Sequence, residues 1–282
     1  MDQDEKRFEE GIDRRGFMKS MAVVAGGTAA ATVLLPLVEK NAAVAQLTSK
    51  DDGRLITDTL KYPGETGEVR AYFARPKGEA KLPGVVVIHE NRGLNGHIED
   101  VTRRIAIEGF LALAPDALSP LRGTPGEDQE KAVAMINQLD KEKTIKNYVA
   151  AVKFLKNYAV SNGKVGAVGF CWGGGMANQL AVHSPDIVAV VPYYGAVAAV
   201  EDVPKIKASL LLHYAGKDER INSGIPAYEE ALKKARVDYK IYMYEGAEHA
   251  FNNDTNPPRY NKDAAQLAWQ RTIAFLKQKL KS

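Results

Sequence analysis

The chain has 282 residues, with 38 Lys+Arg against 35 Asp+Glu, 45% hydrophobic residues and a single cysteine. The formal net charge of +3 comes with no basic block and no aromatic-basic platform, which excludes a nucleic-acid partner. One cysteine excludes an intrachain disulfide, and no Cys/His spacing suggests a metal site.

In chain order, the first feature is Arg14-Arg15, followed by the moderately apolar stretch Met21–Val38 and the small-x-small site Ala43-Val44-Ala45. Basic, then apolar, then cleavable is the order of an export signal, and the paired arginines predict the Tat route for residues 1–45. Two glycines, Pro36 and many alanines make the stretch too weakly hydrophobic for a stable membrane anchor. The expected partner is the Tat export machinery, and the expected location is the periplasm or the outside of a bacterial cell. The segment holds six Lys/Arg and seven Asp/Glu, so residues 46–282 carry 32 against 28. That length suits one α/β domain with a substantial core.

From Leu55 the pattern alternates, and Arg54–Tyr62 and Val69–Arg75 read as paired strands across the turn signal Pro63-Gly64-Glu65-Thr66-Gly67. Gly84–His89 is a continuous β-branched run, as expected of a strand buried on both faces. His97–Glu108 has helical spacing, Phe110–Ala114 is a short apolar run, and residues 127–157 carry helical periodicity broken near Asp140–Lys143. Strands follow at Lys164–Phe170, Ile187–Tyr193, Ser209–Tyr214 and Tyr239–Tyr244, with helices at Trp172–His183, Ile225–Arg236 and Asp263–Lys279. Strand alternating with helix predicts a mostly parallel central sheet with helices on both faces, an arrangement that binds ligands beyond the carboxyl ends of its strands.

The chemistry concentrates at three such ends. Gly169-Phe170-Cys171-Trp172-Gly173 has the form G-x-C-x-G between a strand and a helix, the context of a nucleophile elbow. A nucleophile on so sharp a turn leaves no room for side chains two residues away, and glycine removes them. The helix that follows directs N–H groups and its positive dipole end at the sulfur, favouring thiolate and oxyanion. A thiol needs a base, and an imidazole needs a group to hold its tautomer. Asp218 follows the strand ending at Tyr214 and His249 follows the strand ending at Tyr244, in the order nucleophile, acid, histidine. Glu219 is a less well placed acid. The loop after Gly84–His89 supplies the second oxyanion donor in this architecture, which assigns the backbone N–H groups of Asn91 and Trp172 to the hole, with Glu90 at the pocket floor. Trp172, Tyr193, Tyr194 and Phe251 are expected to line or support the pocket. Of the other histidines, His213 reads as core, His183 as a helix terminus and His97 as the solvated start of its helix.

The segments HENRGL, GFCWGGG, GKD and EHAF, in that order, resemble the dienelactone hydrolase (carboxymethylenebutenolidase) family of α/β-hydrolases, over nearly all of residues 55–280. The resemblance implies the α/β-hydrolase fold, a Cys171–His249–Asp218 triad, and cleavage of an ester or lactone through an acyl-thioenzyme without metal or cofactor. It also implies that Glu90 accepts the resting thiol's proton until substrate displaces it. The founding enzymes bind their substrate's carboxylate with two arginines. This chain has Asn253 at one of those positions and no arginine within Gly126–Val133, where the other falls. Arg92, Arg122 and Arg259 are the candidate substitutes, and the founding substrate is not carried over. Two other readings of the same residues are a non-catalytic binding protein of this fold and a thiol redox protein, the latter without a resolving cysteine.

Overall fold

The computed structural model describes residues 48–126 and 128–281; the predicted export signal lies outside them. The strands are β1 (Leu55–Gly64), β2 (Gly67–Pro76), β3 (Leu82–Ile88), β4 (Leu111–Pro115), β5 (Ser161–Phe170), β6 (Ile187–Tyr193), β7 (Ser209–Ala215) and β8 (Tyr239–Tyr244). The helices are α1 (Gly96–Ile107), α2 (Gln129–Ile136), α3 (Lys141–Lys156), α4 (Trp172–His183), the single turn α5 (Glu219–Asn222), α6 (Ile225–Ala235) and α7 (Lys262–Leu280).

The strands form one sheet in the order β1-β2-β4-β3-β5-β6-β7-β8. β1, β2 and β4 pair antiparallel, and every pair from β4 to β8 is parallel. The β-branched run in β3 shows why the centre is apolar on both sides. Val86 and Ile88 join the cluster beneath α3, α4 and α6, whereas Val85 and Val87 join the one beneath α1 and α7. Each such side chain contributes about 1.5–3 kcal/mol by leaving water, so strand alternation here selects a face and not solvent.

Local chemistry sets the element ends. The break expected near Asp140 falls where Asp140 caps α3 by accepting from the Lys143 N–H at 3.0 Å. Asn95 caps α1 and Asn261 caps α7 in the same way, accepting from Ile98 N–H at 3.2 Å and Ala264 N–H at 3.1 Å. Pro226 sits in the first turn of α6, whose chain leaves through Arg236 at φ 56°.

The solvated role expected of His97 is not what the structure shows. His97 is buried, with Nδ1 3.2 Å from Asp254 Oδ1, because the loop after β8 folds back over the first turn of α1. Among the described residues no helix is long and apolar enough to cross a membrane.

Candidate active site

β5 ends at Phe170 and α4 begins at Trp172, so Cys171 alone makes the turn, at φ 56° and ψ −117°. A non-glycine residue held there costs about 1–3 kcal/mol and persists only where the surroundings enforce it. The surroundings are backbone at close range. A Cβ on Gly169 would lie 2.1 Å from Gly173 O, one on Gly173 would lie 2.3 Å from His89 O, and one on Gly174 would lie 2.4 Å from Tyr193 O. Cys171 N–H donates to Tyr193 O at 3.1 Å, and Gly175 N–H to Cys171 O at 3.2 Å, tying the turn to β6 and α4.

The sulfur meets an imidazole. His249 Nε2 lies 3.0 Å from Cys171 Sγ, and His249 Nδ1 lies 2.5 Å from Asp218 Oδ2. A carboxylate only accepts, so the proton sits on Nδ1 and Nε2 faces the thiol as an acceptor. Asp218 occupies the cap position of α5 but makes no side-chain cap bond there, leaving its buried carboxylate to His249. Two backbone bonds hold the loops together: Lys217 N–H donates to Ala247 O at 3.0 Å and Gly216 N–H to Tyr244 O at 2.9 Å.

Burial, reinforced by the Glu90 carboxylate, pushes the Cys171 thiol up to about 11, and the backbone N–H groups of Trp172 and Asn91 and the charge of Arg220 pull the other way. Those two N–H groups are the ones placed in the oxyanion hole by position in the sequence. Glu90 is buried, with Oε2 accepting from Asn253 Nδ2 at 2.8 Å and Oε1 without a hydrogen-bond partner. Asn253 faces that way because its own Oδ1 accepts from Thr255 N–H at 3.0 Å and from Thr255 Oγ1 at 2.7 Å.

His89, given no role by the sequence, organises this wall. Its Nε2 accepts from Ala117 N–H at 3.1 Å, so Nδ1 carries the proton and donates to Glu90 O at 2.6 Å. Burial holds its pKa below the usual value, and the neutral ring stacks on Trp172 with centroids 5.4 Å apart.

A cavity of about 470 Å³ opens over Cys171 and His249. Asn91, Trp172 and Tyr194 line it near the sulfur, Ile136, Leu139, Met176, Val197 and Ile221 give it an apolar wall, and Lys141 and Arg220 bring positive charge. Arg92, Arg122 and Arg259 are not on its wall. Arg122 and Arg259 are exposed, the first where the chain leaves the short Ser119–Leu121 turn at φ 76° and the second in a turn closed on Asn256. Phe251 does not line the cavity either. It is fully buried against the rings of Tyr194 and Tyr244, a support behind the site and not a contact within it. Tyr193 likewise points into the core, its hydroxyl 2.6 Å from Thr272 Oγ1. His213 lies in the same core, between Tyr244 OH at 2.9 Å and Thr272 Oγ1 at 3.1 Å.

Sequence spacing could not supply Lys141, Arg220 or Asn253, which reach the site from three separate elements; Arg220 had a signal only in lying two residues after Asp218. Among the described residues no group of His, Cys, Asp and Glu is placed to hold a metal ion.

The model of the dienelactone hydrolase family matches residues 69–280. A protein of Saccharolobus solfataricus named "Putative carboxymethylenebutenolidase" is 35% identical over 252 residues, covering 77% of this chain and 96% of that one. One of Bradyrhizobium named "Probable 2-oxo-3-(5-oxofuran-2-ylidene)propanoate lactonase" is 34% identical over 228 residues, covering 76% and 91%. The solved structure titled "Putative Dienelactone Hydrolase" from Klebsiella pneumoniae superposes with a TM-score of 0.70 at 27% identity, covering 79% of this chain and 99% of that one.

Proposed function

This chain belongs to the dienelactone hydrolase family and is a hydrolase of its ester- and lactone-cleaving kind, and on that premise we propose that it works through a Cys171–His249–Asp218 triad and an acyl-thioenzyme. The observation that carries the proposal is the pair of contacts at His249, 3.0 Å to Cys171 Sγ and 2.5 Å to Asp218 Oδ2, opening on one cavity.

With its pKa near 11, the resting thiol is neutral at pH 7, so the thiolate forms within the pair, as its proton moves to His249 Nε2. Asp218 stabilises the imidazolium that results. The sulfur then attacks the carbonyl carbon, and the developing oxyanion takes hydrogen bonds from Asn91 N–H and Trp172 N–H. His249 gives its proton to the leaving oxygen as the C–O bond breaks. Water attacks the thioester, His249 takes its proton, and the C–S bond breaks to return acid and thiol. The Glu90 carboxylate beside the thiol disfavours a resting thiolate, so on this reading the proton stays on sulfur until substrate arrives, in place of the expectation that Glu90 accepts it. No step calls for a metal or cofactor.

The apolar wall and the size of the cavity suit an ester or lactone with a hydrophobic body, and Trp172 is the aromatic surface next to the sulfur. The paired arginines and small-x-small site of residues 1–45 support Tat export to the periplasm or beyond as part of the same proposal.

The test is the mass of intact protein during turnover of a panel of esters and lactones. An acyl increment on Cys171 is expected in the wild type and none in Cys171→Ala, which should not turn over substrate while keeping its fold. Hydrolysis by Cys171→Ala at wild-type rates would overturn the covalent mechanism.

A further inference from the structure

A line of buried polar groups runs from the beginning of the described chain to the site, and hydrolysis as set out above makes no use of it. Thr48 N–H donates to Asp100 Oδ1 at 2.6 Å, and Arg103 Nε donates to Thr48 O at 2.9 Å, so the backbone of Thr48 is gripped from both sides by α1. Asp100 Oδ2 pairs with Arg104 Nη2 one turn along the same helix. That nitrogen also bonds Asp254 Oδ2 at 2.5 Å, and Asp254 Oδ1 lies 3.2 Å from His97 Nδ1. The next residue back, Asn253, donates to Glu90 Oε2 at 2.8 Å.

All of these side chains but that of Asp254 are more than nine-tenths buried, with Asp100 and Asn253 only 2% exposed. Buried ionic groups give little net stability, because desolvation offsets much of their attraction; what they fix well is geometry. Burial alone would raise the Asp254 carboxyl, but His97 and Arg104 hold it below its usual range. It is therefore an anion bonded to α1 through Oδ2, while Oδ1 stands 3.2 Å from His97 Nδ1 with no aligned hydrogen bond of its own. The loop between His249 and α7 has no strand or helix of its own; the buried Phe251 and the bond from Asn261 N–H to Phe251 O at 3.0 Å hold its base, and the contacts of Asp254 tie it to α1 next to Asn253.

We propose that Arg104 and Asp254 are positioning residues for the thiol, acting through Asn253 on Glu90, and that the Thr48 strap completes their anchor. The inference rests on the reading of Glu90 as the group that governs the resting state of Cys171. The charged or titratable groups that face Glu90 are Cys171, His89 and the buried Tyr194, and those that face Asp254 are His97, Arg104, Tyr194 and Tyr260. Breaking the Arg104–Asp254 link frees Asn253 to withdraw, and the Glu90 carboxylate loses its one direct hydrogen bond.

The experiment measures the rate of alkylation of Cys171 by iodoacetamide against pH, together with kcat and KM for an ester turned over by the wild type. Variants are Arg104→Met, Asp254→Asn, their double, Arg104→Lys and Glu90→Gln. Arg104→Met is expected to move the alkylation profile toward that of Glu90→Gln and to lower kcat about tenfold with KM within twofold. Asp254→Asn should do the same, and the double variant should be no worse than the worse single, since both cut one link. Arg104→Lys should stay within threefold of wild type, because a single nitrogen makes both carboxylate contacts.

Should Arg104→Met not fold, the strap gives a second arm. Thr48→Pro deletes the N–H given to Asp100 and should shift the profile in the same direction, while Thr48→Ala, which keeps that N–H, should not. An alkylation profile that stays at wild type in folded Arg104→Met or in Thr48→Pro, or losses that multiply in the double variant, overturns the proposal. Alkylation reports on the thiol whether or not Cys171 is the nucleophile in turnover, so failure of the covalent mechanism would be seen separately, as activity surviving in Cys171→Ala.

Discussion

Replacing Gly169 by alanine tests whether the elbow is built as its contacts imply. The added Cβ would sit 2.1 Å from Gly173 O and 2.6 Å from Gly173 C, with Ala177 Cβ at 3.0 Å. The first two are backbone atoms in the opening turn of α4, so no side-chain rotation relieves the clash. Contact at an ordinary 3.4 Å or more requires strand and helix to part by about 1 Å at this point. Overpacking of that kind costs about 3 kcal/mol, which for a domain of this size lowers Tm by about 6–12 °C. The same displacement moves Sγ out of register with His249 Nε2, and a misplacement of about 1 Å costs about 100-fold in rate. The assay is a thermal melt beside kcat for an ester. Gly175→Ala is the control for stability: its Cβ would meet nothing closer than 3.6 Å, and alanine within a helix should raise stability by about 0.5–1 kcal/mol. Melting and turnover of Gly169→Ala within error of wild type would refute the crowding account of the motif.

Asp218→Asn should lower kcat by about 10⁴-fold with KM little changed, because an amide can donate to Nδ1 and turn the proton to the wrong nitrogen; steady-state kinetics and a melt curve check it together. Glu90→Gln removes the negative neighbour that helps hold the Cys171 thiol near 11, so alkylation at pH 8 should quicken up to about tenfold. The folded thiol keeps a proton that an unfolded chain releases near 9.0, so this contribution to stability is fully present below pH 9 and is lost as pH rises through about 11. Denaturant titrations between pH 8 and pH 11 should show that decline in wild type and a shallower one in Cys171→Ala. Burial, aided by the Arg271 charge, lowers His213 to about 3, so the unfolded chain binds a proton first and stability falls as pH drops from about 6.5 toward 3. His213→Leu takes one partner each from Tyr244 and Thr272 and should be less stable at pH 7, with the gap to wild type narrowing at pH 4.5.

Much of the fold could be read from the sequence because its signals are local. The β-branched run at 84–88, the cap at Asp140 and the strand-glycine-cysteine-helix junction each state their geometry within a few residues. The order Cys171, Asp218, His249 was legible for a related reason: parallel strands send all their carboxyl ends to one edge, so position after a strand is already position near the site. The direction of side chains was not. Arg92 sits next to Asn91 and yet lies off the cavity wall, while Arg220 and Lys141 reach it from elements remote from the elbow in sequence. His97 looked solvated because its one partner, Asp254, is 157 residues away. Asn253 could be marked as a departure from family pattern, but the bond it makes to Glu90 depends on Thr255 having claimed its oxygen.

The left-handed backbone at residue 171 belongs to the position and not to the element it carries. Carbonyls of Ile88, His89 and Tyr193 press on the glycines around it whatever is attached at Cβ, so a hydroxymethyl group would ride on the same bend at the same height. Conversion from sulfur to oxygen chemistry thus asks for one atom and no rebuilding, whereas a β-branched residue such as threonine would add a second substituent where the bend leaves no room.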